Sequence, residues 1–253
     1  MANGGAFDDA VELAQANPEL GVGVHLVLIG GRALGPREQI GRLAGTDGAL
    51  PKTVKSLILK LSTGRIRATE MEAELRAQIE RVRAAGVTPT HVDSHKHAHL
   101  HPAVMKAIAH VAAEFGIQRV RMPFEDFSSA IGRSGTNGRK TTGRKAFAVG
   151  ARATYPLFRR IVQKNRMRTP EHFFGFAATG QLGRDGLLRI IRRLPDGTSE
   201  LVCHPGVMDA ELEGTGTRLR AEREVELAAL TDLDVKKEIL GRRVHLMSFR
   251  ELN

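Results

Sequence analysis

"HVDSHKHAHLHP" (residues 91–102) decides how the chain is read, because it joins a strand to a helix and packs five of the ten histidines between them. "PTHVD" (89–93) enters the cluster as a predicted strand. "PAVMKAIAHVAAEFG" (102–116) leaves it as a predicted helix, with Pro102 suited to the first helical position. If the segment runs extended, His91, Asp93, His95, His97, His99 and His101 project to one side, since strand side chains alternate with period two. Neutral imidazole is a good ligand for a divalent ion such as zinc, and two histidines plus a carboxylate leave a position open for water.

Working outward, "FDDAVELAQANPELG" (7–21) predicts a short amphipathic helix with Phe7, Val11 and Leu13 or Ala14 on one face, closed by Pro18 and Gly21. "VGVHLVLI" (22–29) predicts a buried strand ending at Gly30-Gly31. "TEMEAELRAQIERVRAAG" (69–86) begins with a Thr69-x-x-Glu72 capping box, repeats Met71, Leu75, Ile79 and Val82 on one face and stops at Gly86. Beyond the cluster, "IQRVRMP" (117–123) reads as a strand, "YPLFRRIVQKN" (155–165) as a helix and "GLLRIIRRLPDG" (186–197) as a helix with a turn. "SELVCHPG" (199–206) then reads as a strand that ends in His204. Helices around "REVELAALTDL" (223–233) and "VKKEILGRR" (235–243) lead to a last predicted strand, "VHLMSF" (244–249). This alternation argues for βα units and a mainly parallel sheet or barrel, in one domain spanning residues 1–253.

The composition narrows the partners. A single cysteine, Cys203, excludes an intramolecular disulfide framework and suits a reducing compartment. No basic segment followed by an apolar run opens the chain, and no stretch approaches the roughly 20 apolar residues that span a bilayer. The expectation is a soluble, cytoplasmic protein. The net charge of +10 is concentrated in one place: between Asp126 and Glu171 basic residues recur with no acidic one among them. Such a run suits nucleic acid, anionic lipid headgroups or an acidic substrate, and the plainer reading is a solvated insertion at about 127–170. With aromatics at only 4% of the chain, bases would find few stacking platforms, which argues against nucleic acid.

His25, the 91–101 cluster and His204 all fall in or just after predicted strands, where barrel active sites are built. Taken alone, His25 reads more readily as a core histidine bonded to backbone. The cluster is different, because histidines at this density have few structural uses beyond metal binding. Asp93 is open between a ligand, an orienter behind a ligating imidazole and a turn residue. His204, before Pro205 and Gly206, is either a catalytic acid or a polar strand end, and Cys203, pointing the other way, reads as core.

"HVDSHKHAHLHP", "GVGVHLVL" (21–28) and "ELVCHPGVMD" (200–209) together resemble the YdjC/ChbG family of metal-dependent carbohydrate deacetylases in order and approximate spacing, and "RVRMP" and the "REVEL" helix fit as well. "HKHAHLHP" and "EHFFGFAATG" (171–180) are most similar to its hopanoid-biosynthesis branch, HpnK. The resemblance implies a distorted (β/α) barrel of the YdjC/NodB-like deacetylase type. It implies removal of acetyl groups from N-acetylated amino sugars, or from a glycolipid such as an N-acetylglucosaminyl hopanoid. One divalent ion, Mg2+ or Zn2+, would be held by His25 and His95, with a third ligand from an Asp-Asp-Phe-Gly motif on the first strand. His204 would protonate the leaving amine, with His97 as the rival. A glycolipid substrate would give the basic segment a use at an anionic membrane surface. The oligomeric state is left open, a homodimer included.

The 253 residues contain no Asp-Asp-Phe-Gly motif. Asp8 and Asp9 are not a substitute, since they sit in the first predicted helix, where acids favour the helix dipole. The expectation is a barrel lacking its first strand: either the chain starts further upstream or this form is weak or inactive. Two alternatives follow, a non-catalytic glycan-binding or glycolipid-binding relative and a metal-dependent phosphoesterase or amidohydrolase.

Overall fold

A computed structural model of the chain describes residues 1–125, 152–214 and 216–253, so the expected basic insertion lies largely outside the described residues. The fold is mixed α/β. Two compact units are distinguished, one of Met1–Pro123, Thr154–Thr169 and Met247–Asn253, the other of Phe124–Ala153 and Pro170–Leu246.

In the first unit the order is α1 (Phe7–Ala16), β1 (Val24–Leu26), α2 (Arg37–Ile40), α3 (Val54–Ser62), α4 (Ala68–Ala84), β2 (Val92–Ser94), a 3-10 turn (His95–Leu100), α5 (Pro102–Glu114) and α6 (Tyr155–Lys164). β1 pairs with β2 in parallel, and single parallel bridges extend the row from Val92 to Val120 and from Arg119 to Arg168. Val24, Leu26, Val92, Val104, Met105, Ile108 and Val120 are buried around it. The second unit holds β3 (His172–Phe174), α7 (Arg184–Ile191), β4 (Ser199–Leu201), α8 (Ala210–Gly214), α9 (Ala221–Leu230) and α10 (Leu233–Gly241). β3 and β4 are parallel, and Phe174, Leu187, Ile190, Ala229 and Val235 form a core with Cys203 packed against it. The expected barrel is therefore represented by two small open sheets, and no closed barrel forms among the described residues.

The sheets are small for a definite reason. "VGVHLVLI" pairs only over Val24–Leu26 because the next residue hands its backbone to a side chain. Gln78, fully buried on α4, accepts from the Val27 N–H at 2.8 Å and donates to the Val27 carbonyl at 2.7 Å. One turn earlier, the Glu74 carboxylate accepts from the Leu34 and Gly35 N–H groups and from Gln78 Nε2. Two other expectations change. α4 starts at Ala68 rather than at a Thr69 cap, because Glu70 reaches back to the Arg67 N–H at 2.9 Å. "VHLMSF" is not a strand: Ser248 and Glu251 form a capping box that turns the chain into a 3-10 helix at Phe249–Glu251. Gly86, at φ +80°, closes α4 as its position predicts, and Pro102 opens α5.

Replacing Gln78 with Leu keeps its bulk and strands both Val27 backbone groups. Each orphaned buried group costs about 1–3 kcal/mol. Urea unfolding is expected to show Gln78→Leu destabilised by about 3 kcal/mol, and a loss near zero would mean that the Gln78 bonds do not carry this loop.

Candidate functional site

The parallel register builds the site. Val24 and Val92 are Cα partners, and Val120 bridges to Val92. One residue further along each chain stand His25, Asp93 and Arg121, so one row across neighbouring strands carries an imidazole, a carboxylate and a guanidinium on one face. His25 Nδ1 lies 2.9 Å from Asp93 Oδ1, and the Arg121 guanidinium pairs with Asp93 Oδ2. Asp93 is only 5% exposed. Burial alone would raise its pKa, but the hydrogen bond from His25 and the charges of His25 and Arg121 outweigh that and hold it well below the usual carboxylate range.

An ionised Asp93 accepts the proton on His25 Nδ1, which leaves the Nε2 lone pair facing away. That Nε2 is 3.4 Å from Nδ1 of His95, with the rings edge to face at 5.5 Å. Burial first, then the neighbouring charges of His25 and Lys96, lower the His95 pKa to about 4, so its imidazole is neutral at pH 7. Two imidazole nitrogens that converge, one with a carboxylate behind it, fit two positions of a divalent ion's ligand set. No group of three His, Cys, Asp or Glu that would enclose an ion occurs among the described residues.

The expected row of six side chains is broken. Extension stops at Ser94, because Lys96 and His97 take left-handed backbone angles, φ 54° and 50°. The remaining histidines scatter into separate tasks. His91 stacks on Phe249 at 3.8 Å and receives or gives a hydrogen bond with Thr90. A Cβ at Gly23 would collide with the His91 ring, which requires glycine there. His99 is fully buried against Ser94, and His101 caps α5 by accepting the Ala103 N–H at 3.3 Å. His97 lies in the left-handed turn, its ring 6.0 Å from that of His99.

His204 belongs to the second unit, three residues beyond the end of β4. Its backbone N–H donates at 2.5 Å to Glu226, a buried carboxylate of α9 that also accepts from the Gly180 N–H. Residue patterns missed Arg121, Ser94 and Glu226. For Arg121 no local signal existed: "IQRVRMP" carries two arginines, Arg119 and Arg121, and only the pairing of Val92 with Val120 puts Arg121 beside Asp93.

A sequence model of YdjC-like proteins matches residues 1–240. The chain belongs to the YdjC-like family. A carbohydrate deacetylase from Geobacillus stearothermophilus is 32% identical over 252 residues, 99% of this chain and 84% of the relative. One from Brevibacillus brevis is 30% identical over 253 residues, 100% of this chain and 86% of the relative. A crystal structure from Enterococcus faecalis V583, described as a cellobiose-phosphate cleavage protein, superimposes with a TM-score of 0.72 at 21% identity, covering 98% of this chain and 84% of that one. At that identity the likeness speaks for the fold.

In this YdjC-like chain His91 has a consequence for acid stability. Burial, tempered by Asp93, lowers its pKa to about 4 from an ordinary 6.5. Between those pH values the unfolded chain binds a proton that the native chain does not, so stability is complete above pH 6.5 and falls as pH drops towards 4. The loss reaches up to about 3 kcal/mol. Chemical denaturation across this window should show a shallower slope for His91→Gln than for the unmodified protein, and equal slopes would mean that His91 is not held neutral.

Proposed function

We propose that this protein is a metal-dependent hydrolase that removes acetyl groups from N-acetylated amino sugars. The observation that carries the reading is the convergence of His25 Nε2 and His95 Nδ1 with Asp93 behind His25. The relatives named carbohydrate deacetylases, matched along nearly the whole chain, support the substrate class. A divalent ion, Mg2+ or Zn2+, supplies Lewis-acid polarisation of the amide carbonyl and acidifies water. His25 and His95 hold it. Asp93 fixes the His25 tautomer and ring plane; with one oxygen on His25 and the other on Arg121, it orients rather than transfers protons. The departing amine needs a proton, and His204 and His97 are the two donors proposed for it.

Incubating the protein with Zn2+ or Mg2+ and an N-acetylated chitooligosaccharide should release acetate and free amine in equal amounts. His25→Ala and His95→Ala should each weaken metal binding and lower acetate release by more than about 100-fold, the upper end of what even outer partners of a metal cost. His110→Ala, on α5 with its Nδ1 at 3.1 Å from Glu72, should change neither. Metal binding without acetate release would replace this reading with a non-catalytic binding relative, and two ions per chain would favour a phosphoesterase or amidohydrolase.

We infer further that the sugar is carried on a lipid, an N-acetylglucosaminyl hopanoid, from the similarity of "HKHAHLHP" and "EHFFGFAATG" to the HpnK branch. Arg159, Arg160 and Lys164 are exposed on α6 and suit an anionic surface. Among the described residues no helix is long and apolar enough to cross a membrane. Sedimentation with vesicles should show binding that rises with anionic lipid and falls with salt; indifference to vesicle charge would remove the membrane contact and leave the deacetylase reading standing.

A further inference from the structure

We propose that Ser94 and His99 form a positioning pair that holds the left-handed Lys96–His97 turn and thereby sets the His95 ring against His25. The proposal rests on the reading of His25 and His95 as metal ligands.

Two hydrogen bonds meet on one hydroxyl. Ser94 Oγ accepts the His99 backbone N–H at 3.0 Å and lies 2.5 Å from His99 Nδ1. These bonds close a loop from Ser94 to His99 around His95, Lys96 and His97. Lys96 and His97 are successive non-glycine residues at positive φ, a conformation that L-residues avoid because Cβ crowds the following carbonyl. Something must hold them there, and the Ser94 clasp spans both. His95 follows Ser94 directly, so the clasp at one end and the β2 ladder at the other leave its backbone little freedom.

A role as mere core filling does not account for His99. The residue is fully buried, and its Nε2 has no hydrogen-bond partner among the described residues. A leucine or phenylalanine beside Phe158 would fill that space without stranding a polar nitrogen. What imidazole adds at this position is Nδ1, placed where it meets the Ser94 hydroxyl. A serine oxygen carries one proton and two lone pairs: it accepts the His99 N–H and gives its own proton to Nδ1, which puts the ring proton on Nε2. With Nδ1 engaged by Ser94, His99 serves through His95.

The test is a Co2+ titration of the full chain followed by visible d–d absorption, with thermal melts to establish that each variant is folded. Ser94→Ala and His99→Leu are expected to weaken Co2+ binding by about 10- to 100-fold and to alter the band shape, the range over which outer partners of metal ligands act. Ser94→Thr keeps the hydroxyl, and His99→Asn keeps a polar atom near the Nδ1 position. Both should bind within about threefold of the unmodified protein even where they melt earlier. Equal binding and spectra across all four variants would overturn the positioning role while leaving His25 and His95 as ligands. Failure of the unmodified protein to bind Co2+ would instead overturn the ligand reading, and this proposal with it. Should Ser94→Ala and His99→Leu not fold, NMR of the Co2+-loaded unmodified protein decides. His99 ring signals free of contact shift, with a proton on Nε2, support the clasp; contact-shifted His99 signals would make it a direct ligand and overturn the proposal.

Discussion

The first unit depends on what becomes of one buried carboxylate. Asp93 sits on β2 between β1 and the segment bridged to β2 at Val120, and burying a lone carboxylate there would cost far more than the surroundings could return. Both of its oxygens are therefore engaged, one by His25 and one by Arg121. Because these partners come from β1 on one side and from the segment bridged at Val120 on the other, the carboxylate sets register as well as charge. A slip of one residue would turn Asp93 to the opposite face, away from both partners. The bond that fixes register also presents the free nitrogen of His25, so the fold and the candidate site share one interaction.

The rest of the scaffold repeats this device with other buried side chains. Glu70, Glu74 and Gln78 stand four residues apart on α4, beside the apolar row of Met71, Leu75 and Ile79. Each reaches a loop backbone that has no strand neighbour: Arg42, then Leu34 and Gly35, then Val27. In the second unit Glu125 does the same for Gly175 and Ala177, and Glu226 for Gly180 and His204. Backbone groups that a wider sheet would pair are satisfied by buried side chains, four of them on helices and Glu125 outside any helix, which is how short strands carry their connections.

What could be read in advance follows from which signals are local. The α4 and α5 helices, their ends at Gly86 and Pro102, and the parallel neighbours β1 and β2 all have periodic or capping signatures, and the structure has them. His25 taken alone reads as a core histidine, and its pairing with His95 is implied only by the resemblance to the YdjC/ChbG family. Other features were not legible. For Glu70, Glu74 and Gln78, nothing local says that loops fold over them. The left-handed pair Lys96 and His97 carries no glycine to mark it, so the extended reading of the cluster ran on past Ser94, where tertiary bonds override backbone preference. Arg121 was visible as a residue, but its partner depends on which segment bridges to β2.

The density of histidines now has a physical explanation. Arg121 and Lys96 already place positive charge beside the site, and a row of six side chains facing one way would add imidazolium to imidazolium. The chain distributes the rings instead: His91 goes into a stack, His99 into the core, His101 onto a helix end. Burial keeps His91, His95 and His99 on the neutral side of their titrations. A neutral ring offers a lone pair, whereas a charged one offers only protons. Dispersing the cluster therefore keeps a lone pair on His95, which a continuous row of charged rings would have removed.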